Sequence, residues 1–258
     1  MNAMNPSPSP AFEMMDLTKR FGDKLAVDGV DLAVPRGSFF GLVGPNGAGK
    51  TTSLSMAVGL LRPDSGSARI LGVDVWADPG AAKALVGVLP DGLAMPERLT
   101  GTEALTYLGL LRGMDAATVA QRARELLEIL DLAGDERTLI VEYSAGMRKK
   151  IGLATALLHA PKLLVLDEPF EAVDPISAMT IRSLLQRFVA SGGSVVISSH
   201  VMALVEQLCD HVAVIAQGRV AAAGPVEEVR DGVSLEQRFV ELVGVDPDGL
   251  AELSWLAI

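Results

Sequence analysis

The chain has 258 residues, 49% of them hydrophobic and 21% charged, a composition that fits one or two folded domains and excludes a disordered chain. With 32 acidic against 22 basic side chains the formal net charge is −10, which argues against a nucleic-acid partner because duplex binding needs clustered Lys and Arg. The single cysteine, Cys209, excludes an intrachain disulfide and fits a reducing compartment.

Residues 1–10 are rich in Pro, Ser and Asn and lack the basic and apolar regions of a secretion signal, so a disordered tail is expected there. Strands are expected at 12–17 and, from the alternation of Val30, Leu32 and Val34, at 30–34. A buried strand at 39–43 runs into a glycine-rich turn, and a helix is expected over 51–61. Further strands fall at 68–71 and 86–89. From about 93 to 158 the pattern becomes mostly helical. Over 115–131, Val119, Ala123, Leu126, Leu127 and Leu130 recur at helical spacing. Strands return at 163–166, 194–198, 212–216 and 219–222, the last two joined through Gln217-Gly218 as a tight hairpin. Ser234 and Gln237 are spaced for a capping box. Strand–helix alternation of this kind implies an α/β fold with a largely parallel sheet covered by helices.

Mean hydropathy is high, +0.35. Yet the longest apolar stretch, 151–166, is broken by His159, Pro161 and Lys162 and is too short for a membrane span. Cys209, His159 and His211 read as structural residues. The basic run Arg148-Lys149-Lys150 reads as a solvated helix face.

Three sets of residues carry chemistry. Gly44-Pro45-Asn46-Gly47-Ala48-Gly49-Lys50-Thr51-Thr52 matches G-x-x-x-x-G-K-[ST], with a strand before it and a helix after it. Glycines there let successive backbone N–H groups wrap phosphates at a helix N-terminus. Lys50 is placed to reach the β- and γ-phosphates and Thr51 to ligate Mg²⁺, so the loop predicts ATP with Mg²⁺. The apolar run 163–166 ends in Asp167-Glu168, and strand ends in such sheets face the ligand crevice. Asp167 is expected to hold the metal through its water shell, and Glu168 to polarise the attacking water as a general base. His200 follows the strand at 194–198 and is expected to contact the γ-phosphate.

These residues resemble the nucleotide-binding subunit of ATP-binding cassette (ABC) transporters over about residues 12–244. Ser144-Ala145-Gly146 open a helix shortly before the Asp167-Glu168 strand, where that family carries its signature Leu-Ser-Gly-Gly-Gln. The resemblance implies a P-loop NTPase fold: a mixed, mainly parallel sheet core, an N-terminal antiparallel β-subdomain and an inserted α-helical subdomain. It places the ATPase domain at 11–225, the helical insertion at about 93–158 and a short C-terminal helical extension at 226–258. It implies two subunits, identical or related, packed head to tail. Each ATP is then shared between one copy's P-loop and the other's Ser144 and Gly146. Asp174, in Ala172-Val173-Asp174, would face the partner copy. Phe21 stands where the family stacks an aromatic ring on adenine, with plain core packing as the alternative. Asp91, in Leu89-Pro90-Asp91-Gly92, stands where the family usually has Gln, as an oxygen ligand to nucleotide and metal. Ala145, Met147, Asp91 and Phe170 depart from the family pattern, whereas Lys50, Thr51, Asp167, Glu168 and His200 keep it.

With no span in the sequence, any channel must belong to a separate multi-span permease chain. The resemblance therefore implies an ATPase on the inner, cytoplasmic face of the cell membrane, bound peripherally. The segment 234–244 resembles the short end of exporter-type subunits, which favours export. A soluble ABC ATPase that drives assembly of another complex is the alternative. A P-loop kinase would lack the signature, and a DNA-repair ATPase would carry a long coiled-coil insertion.

Overall fold

The computed structural model describes residues 9–135 and 137–244. Two sheets organise it. The first is antiparallel, in the order β2 (Lys24–Val34), β1 (Phe12–Phe21), β4 (Ser65–Ile70), β5 (Val73–Asp74). The second has six strands in the order β10 (Arg219–Pro225), β9 (His211–Ala216), β3 (Phe39–Val43), β8 (Ser194–Ser199), β7 (Leu163–Leu166), β6 (Val86–Leu89). Within it only β9 and β10 pair antiparallel.

The central strands are near-continuous apolar runs because both of their faces are covered. Alternate residues feed two cores. Phe39 and Val43 of β3, Leu164 and Leu166 of β7 and Val195 and Ile197 of β8 pack into one, with the helical half of the chain. Phe40 and Leu42, Leu163 and Val165, and Val196 pack into the other, against the antiparallel sheet. The helices are α1 (Lys50–Ala57), α2 (Pro79–Leu85), α3 (Gly101–Leu111), α4 (Ala116–Ile129), α5 (Ala145–Leu157), α6 (Pro175–Ala190), α7 (Met202–Leu208), α8 (Val226–Arg230) and α9 (Leu235–Val243). None of the described helices is long and apolar enough to cross a membrane.

Several elements differ from the sequence expectation. Strands β1 and β2 extend well past 12–17 and 30–34. A bulge interrupts their ladder, with Asp16 and Gly29 at positive φ, and it breaks the alternation that marks a strand. Helix α1 stops at Ala57 rather than 61, because Gly59 adopts φ +80° and the N–H groups of Leu60 and Leu61 both turn back to the Ser55 carbonyl. Helix α3 carries an unanticipated capping box, Thr100 with Glu103. The hairpin at Gln217-Gly218 forms as expected, both residues having positive φ, and Ser234 and Gln237 form their capping box on α9. The expected tail at 1–10 lies outside the described residues except for its last two, and 245–258 of the C-terminal extension lie outside them as well.

The basic run is a solvated face only at Arg148, which is exposed; the two lysines turn inward. Arg148 donates to the carbonyls of Val141 (2.8 Å) and Tyr143 (3.2 Å) and pairs with Glu97, Lys149 donates to the Glu168 carbonyl, and Lys150 is buried. At the start of α5, Ser144, Ala145 and Arg148 are exposed, while Lys149 turns toward the carboxyl edge of the parallel sheet.

Candidate functional site

Strands β3, β7, β8 and β6 run parallel, so their carboxyl ends share one edge. The chain leaves that edge at Gly44 after β3, at Asp167 after β7, at His200 after β8 and toward Asp91 after β6. Four motifs far apart in sequence therefore converge, as expected for the crevice of an open α/β sheet.

The glycines of the loop are sterically required. A Cβ on Gly44 would lie 2.3 Å from the Ile215 carbonyl oxygen, and one on Gly49, at φ +106°, would lie 2.6 Å from that of Ala26. The loop is braced from outside, since Gly218 N–H donates to the Ala48 carbonyl at 2.9 Å. Lys50 opens α1 and folds over the loop, its ammonium donating to the carbonyls of Gly44 (2.7 Å) and Pro45 (3.3 Å). Burial lowers its pKa, against the opposing pull of Glu168 and Asp167. The lysine thus sits in its cradle with its donors on backbone oxygens. A left-handed loop that only glycine can follow, a buried ammonium and the exposed Thr51 hydroxyl form a donor set that fits a polyphosphate with its divalent cation.

An open cleft of about 400 Å³ lies over the loop, lined by residues 46–52, Phe21, Asp91, Glu168 and His200. Lys24, Ala26 and Glu171 complete the wall and carry no sequence signal. Phe21, at the end of β1, is 50% exposed, which rules out the core-packing reading. Asp91 is exposed and accepts from its neighbour Gly92 N–H at 3.0 Å.

Asp167 is buried and stands behind the cleft, where its Oδ1 accepts the Ser198 hydroxyl. The same Ser198 oxygen accepts the Glu168 N–H at 2.9 Å. One buried hydroxyl on β8 thereby fixes both carboxylate residues at the end of β7. Ser198 belongs to the Ser-Ser-His motif, but its role depends on the β7–β8 register, which sequence does not display. Glu168 has φ +47°, a left-handed conformation disfavoured for a residue with a Cβ, and its Oε1 lies 3.0 Å from His200 Nδ1, which as N–H donates to it.

Ser144 and Gly146 do not line this cleft. Ser144 is the exposed N-cap of α5, its hydroxyl accepting the Met147 N–H at 3.2 Å. Asp174 likewise caps α6, accepting from the Ile176 and Ser177 N–H groups. Cys209 is buried and its thiol pKa is pushed up by that burial. His211 stacks on Phe40 and donates from Nδ1 to Asp210 at 2.7 Å. Both are structural residues in their surroundings.

The sequence matches the family described as ABC transporter over residues 27–171. It is 38% identical over 230 residues to the daunorubicin/doxorubicin resistance ATP-binding protein DrrA of Streptomyces peucetius, covering 89% of this chain and 70% of that one. It is 36% identical over 246 residues to the Nod factor export ATP-binding protein I of Ralstonia nicotianae, covering 95% and 76%. The fold superposes on the solved ATP-binding subunit of an ABC transporter with TM-score 0.84 at 29% identity, covering 90% of this chain and 99% of that one. An ATP-binding cassette of an ABC transporter in its ADP conformation gives TM-score 0.74 at 26% identity. A braced phosphate loop, a carboxylate pair and a histidine at one sheet edge, together with these matches, place the chain in the ABC transporter family as one of its ATP-binding, ATP-hydrolysing subunits.

Proposed function

We propose that this ATPase powers export through a separate multi-span permease on the inner face of the cell membrane, and that its ATP is held with Mg²⁺ in the cleft over residues 44–52. The names of its relatives, drug resistance and Nod factor export, support the direction. In this reading the backbone of Gly44, Pro45, Asn46, Gly47, Ala48 and Gly49 wraps the phosphates. Lys50 exchanges its loop carbonyls for β- and γ-phosphate oxygens. Thr51 and Thr52 close the cradle at the N-terminus of α1, and Phe21 stacks on the base. Mg²⁺, held by Thr51, Asp91 and, through water, Asp167, supplies charge neutralisation on the phosphates when bound.

The chain's own residues arrange the proton chemistry. Glu168 accepts a proton from the attacking water as its oxygen bonds to the γ-phosphorus and the bond to ADP breaks. His200 holds the carboxylate in line beside the γ-phosphate. The observation that carries this reading is the 3.0 Å contact between Glu168 and His200 at the mouth of the phosphate loop. Ser144, exposed at the N-terminus of α5, and Gly146, half-buried in its first turn, complete the site of a second copy, identical or related. A groove of about 320 Å³ bordered by Pro90, Leu93, Met95 and Arg148 is the surface offered to the permease.

The test is Glu168→Gln in the full chain with saturating Mg-ATP. The expected result is ATP binding retained, hydrolysis lowered on the order of 10²-fold or more, and a shift from monomer to dimer in light scattering. A variant that remains monomeric with ATP bound would contradict the shared-site reading.

A further inference from the structure

We infer that Lys149 is a positioning residue for the reaction, holding the main chain of Glu168 so that its carboxylate meets His200. The inference rests on Glu168 serving as the base. Lys149 lies on the second turn of α5, and its side chain is only 17% exposed. Its ammonium donates to the Glu168 main-chain carbonyl at 2.9 Å and lies 4.0 Å from the Asp91 carboxylate. A lysine enclosed in this way gives up solvation, and the backbone carbonyl and the carboxylate replace it.

What it holds is a residue under strain. Glu168 sits at φ +47°, where the direction of Cβ, and so of the carboxylate, is set by main-chain contacts. Its N–H is fixed by Ser198 and its carbonyl accepts two donors, Glu171 N–H at 3.2 Å and the Lys149 ammonium at 2.9 Å. Lys149 is the charged one of these three anchors and the one that a helix supplies, Ser198 lying on β8 and Glu171 in the turn after β7. Without it, the peptide after Glu168 is free to turn toward the common right-handed region. That turn carries Cβ away from the 3.0 Å contact with His200.

The same helix presents Ser144 to solvent five residues earlier, so a shift at the α5 N-terminus reaches the base through one side chain. Lys149 does not itself line the cleft but stands behind two residues that do, Glu168 and Asp91, so its loss is expected to act on turnover far more than on nucleotide binding. Arginine can still donate to the Glu168 carbonyl, whereas methionine, of similar length, cannot.

The test compares Lys149→Met, Lys149→Arg and Glu168→Gln in the full chain, reading kcat and KM for Mg-ATP together with the thermal midpoint. Lys149→Met is expected to lower kcat about tenfold, with KM within about twofold and the midpoint unchanged. Lys149→Arg is expected to recover kcat to within about threefold of the unaltered chain. Adding Lys149→Met to Glu168→Gln is expected to cost nothing further, since the lysine acts through the glutamate. Wild-type kcat in Lys149→Met beside an inactive Glu168→Gln overturns the inference while leaving the base assignment standing. A loss equal in Met and Arg and matched by a rise in KM overturns it too. If Glu168→Gln hydrolyses at the normal rate, the base assignment falls, and this inference with it.

Discussion

His159 and His200 stand at opposite edges of the parallel sheet, and their surroundings give them opposite work. His200 lies half in water at the carboxyl edge, against Glu168. His159, between α5 and β7, donates from Nε2 to the Val86 carbonyl at 3.0 Å, and its Nδ1 is buried without a hydrogen-bond partner among the described residues. Burial lowers its pKa to about 4, and the nearby Arg112 and Arg122 push the same way. The native state therefore refuses a proton that the unfolded chain accepts near pH 6.5. Above that pH both states are neutral and the ring makes no pH-dependent contribution. As pH falls from 6.5 toward 4 the unfolded state binds more protons, and stability is lost across that window. Thermal midpoints at roughly pH 7 and pH 5 should show a smaller drop for His159→Gln than for the unaltered chain. Equal drops would mean that His159 stays neutral in both states or charges in both. The sequence could place His159 as structural and His200 as functional, because only the second follows a strand that ends at the crevice. It could not show that Ser198 joins Asp167 to Glu168, since that depends on which strand lies beside β7.

Close approach of α5 to β6 governs the middle scale. A Cβ on Gly87 would lie 2.0 Å from the Ala156 carbonyl oxygen and 2.8 Å from Leu164 Cδ2. Both are packed parts of the fold, so a methyl group there must displace the helix. Gly87→Ala is expected to destabilise the chain by about 1–3 kcal/mol, seen as a lower urea midpoint with an unchanged slope. A midpoint equal to that of the unaltered chain would show that α5 yields without cost. Since α5 carries Ser144 and Lys149, the packing of Gly87 also sets where those two residues stand. Elements with a strong period were readable in advance: the buried runs of β3, β7 and β8 and the apolar stripe of α4. Helix α2 and strand β5 were not, because seven and two residues are too short to show a period. Helix α6 announced itself only by Asp174-Pro175, a cap followed by proline, which also reads as a loop motif. Lys149 was missed for a related reason. A run of three basic residues on a helix looks solvated until the sheet edge beneath it is known.

At the scale of the whole molecule, charge constrains how the subunit meets its partners. A net charge of −10 opposes direct adsorption to an anionic lipid face, so the membrane association proposed above has to come through contacts with a permease. The same charge acts between two copies. Two chains of −10 approaching head to tail repel at long range, and bound nucleotide adds to the repulsion before any contact forms. The repulsion reaches about 30 Å at 0.01 M salt and about 8 Å at 0.15 M. Association of the Glu168→Gln chain in Mg-ATP, followed by stopped-flow light scattering, is therefore expected to speed up severalfold between about 20 mM and 200 mM KCl. An oppositely charged pair would slow down over the same range. If this chain slowed, complementary patches around Ser144 and the phosphate loop would outweigh the net charge in the encounter, and two different subunits of unlike charge would become the better account of the shared site.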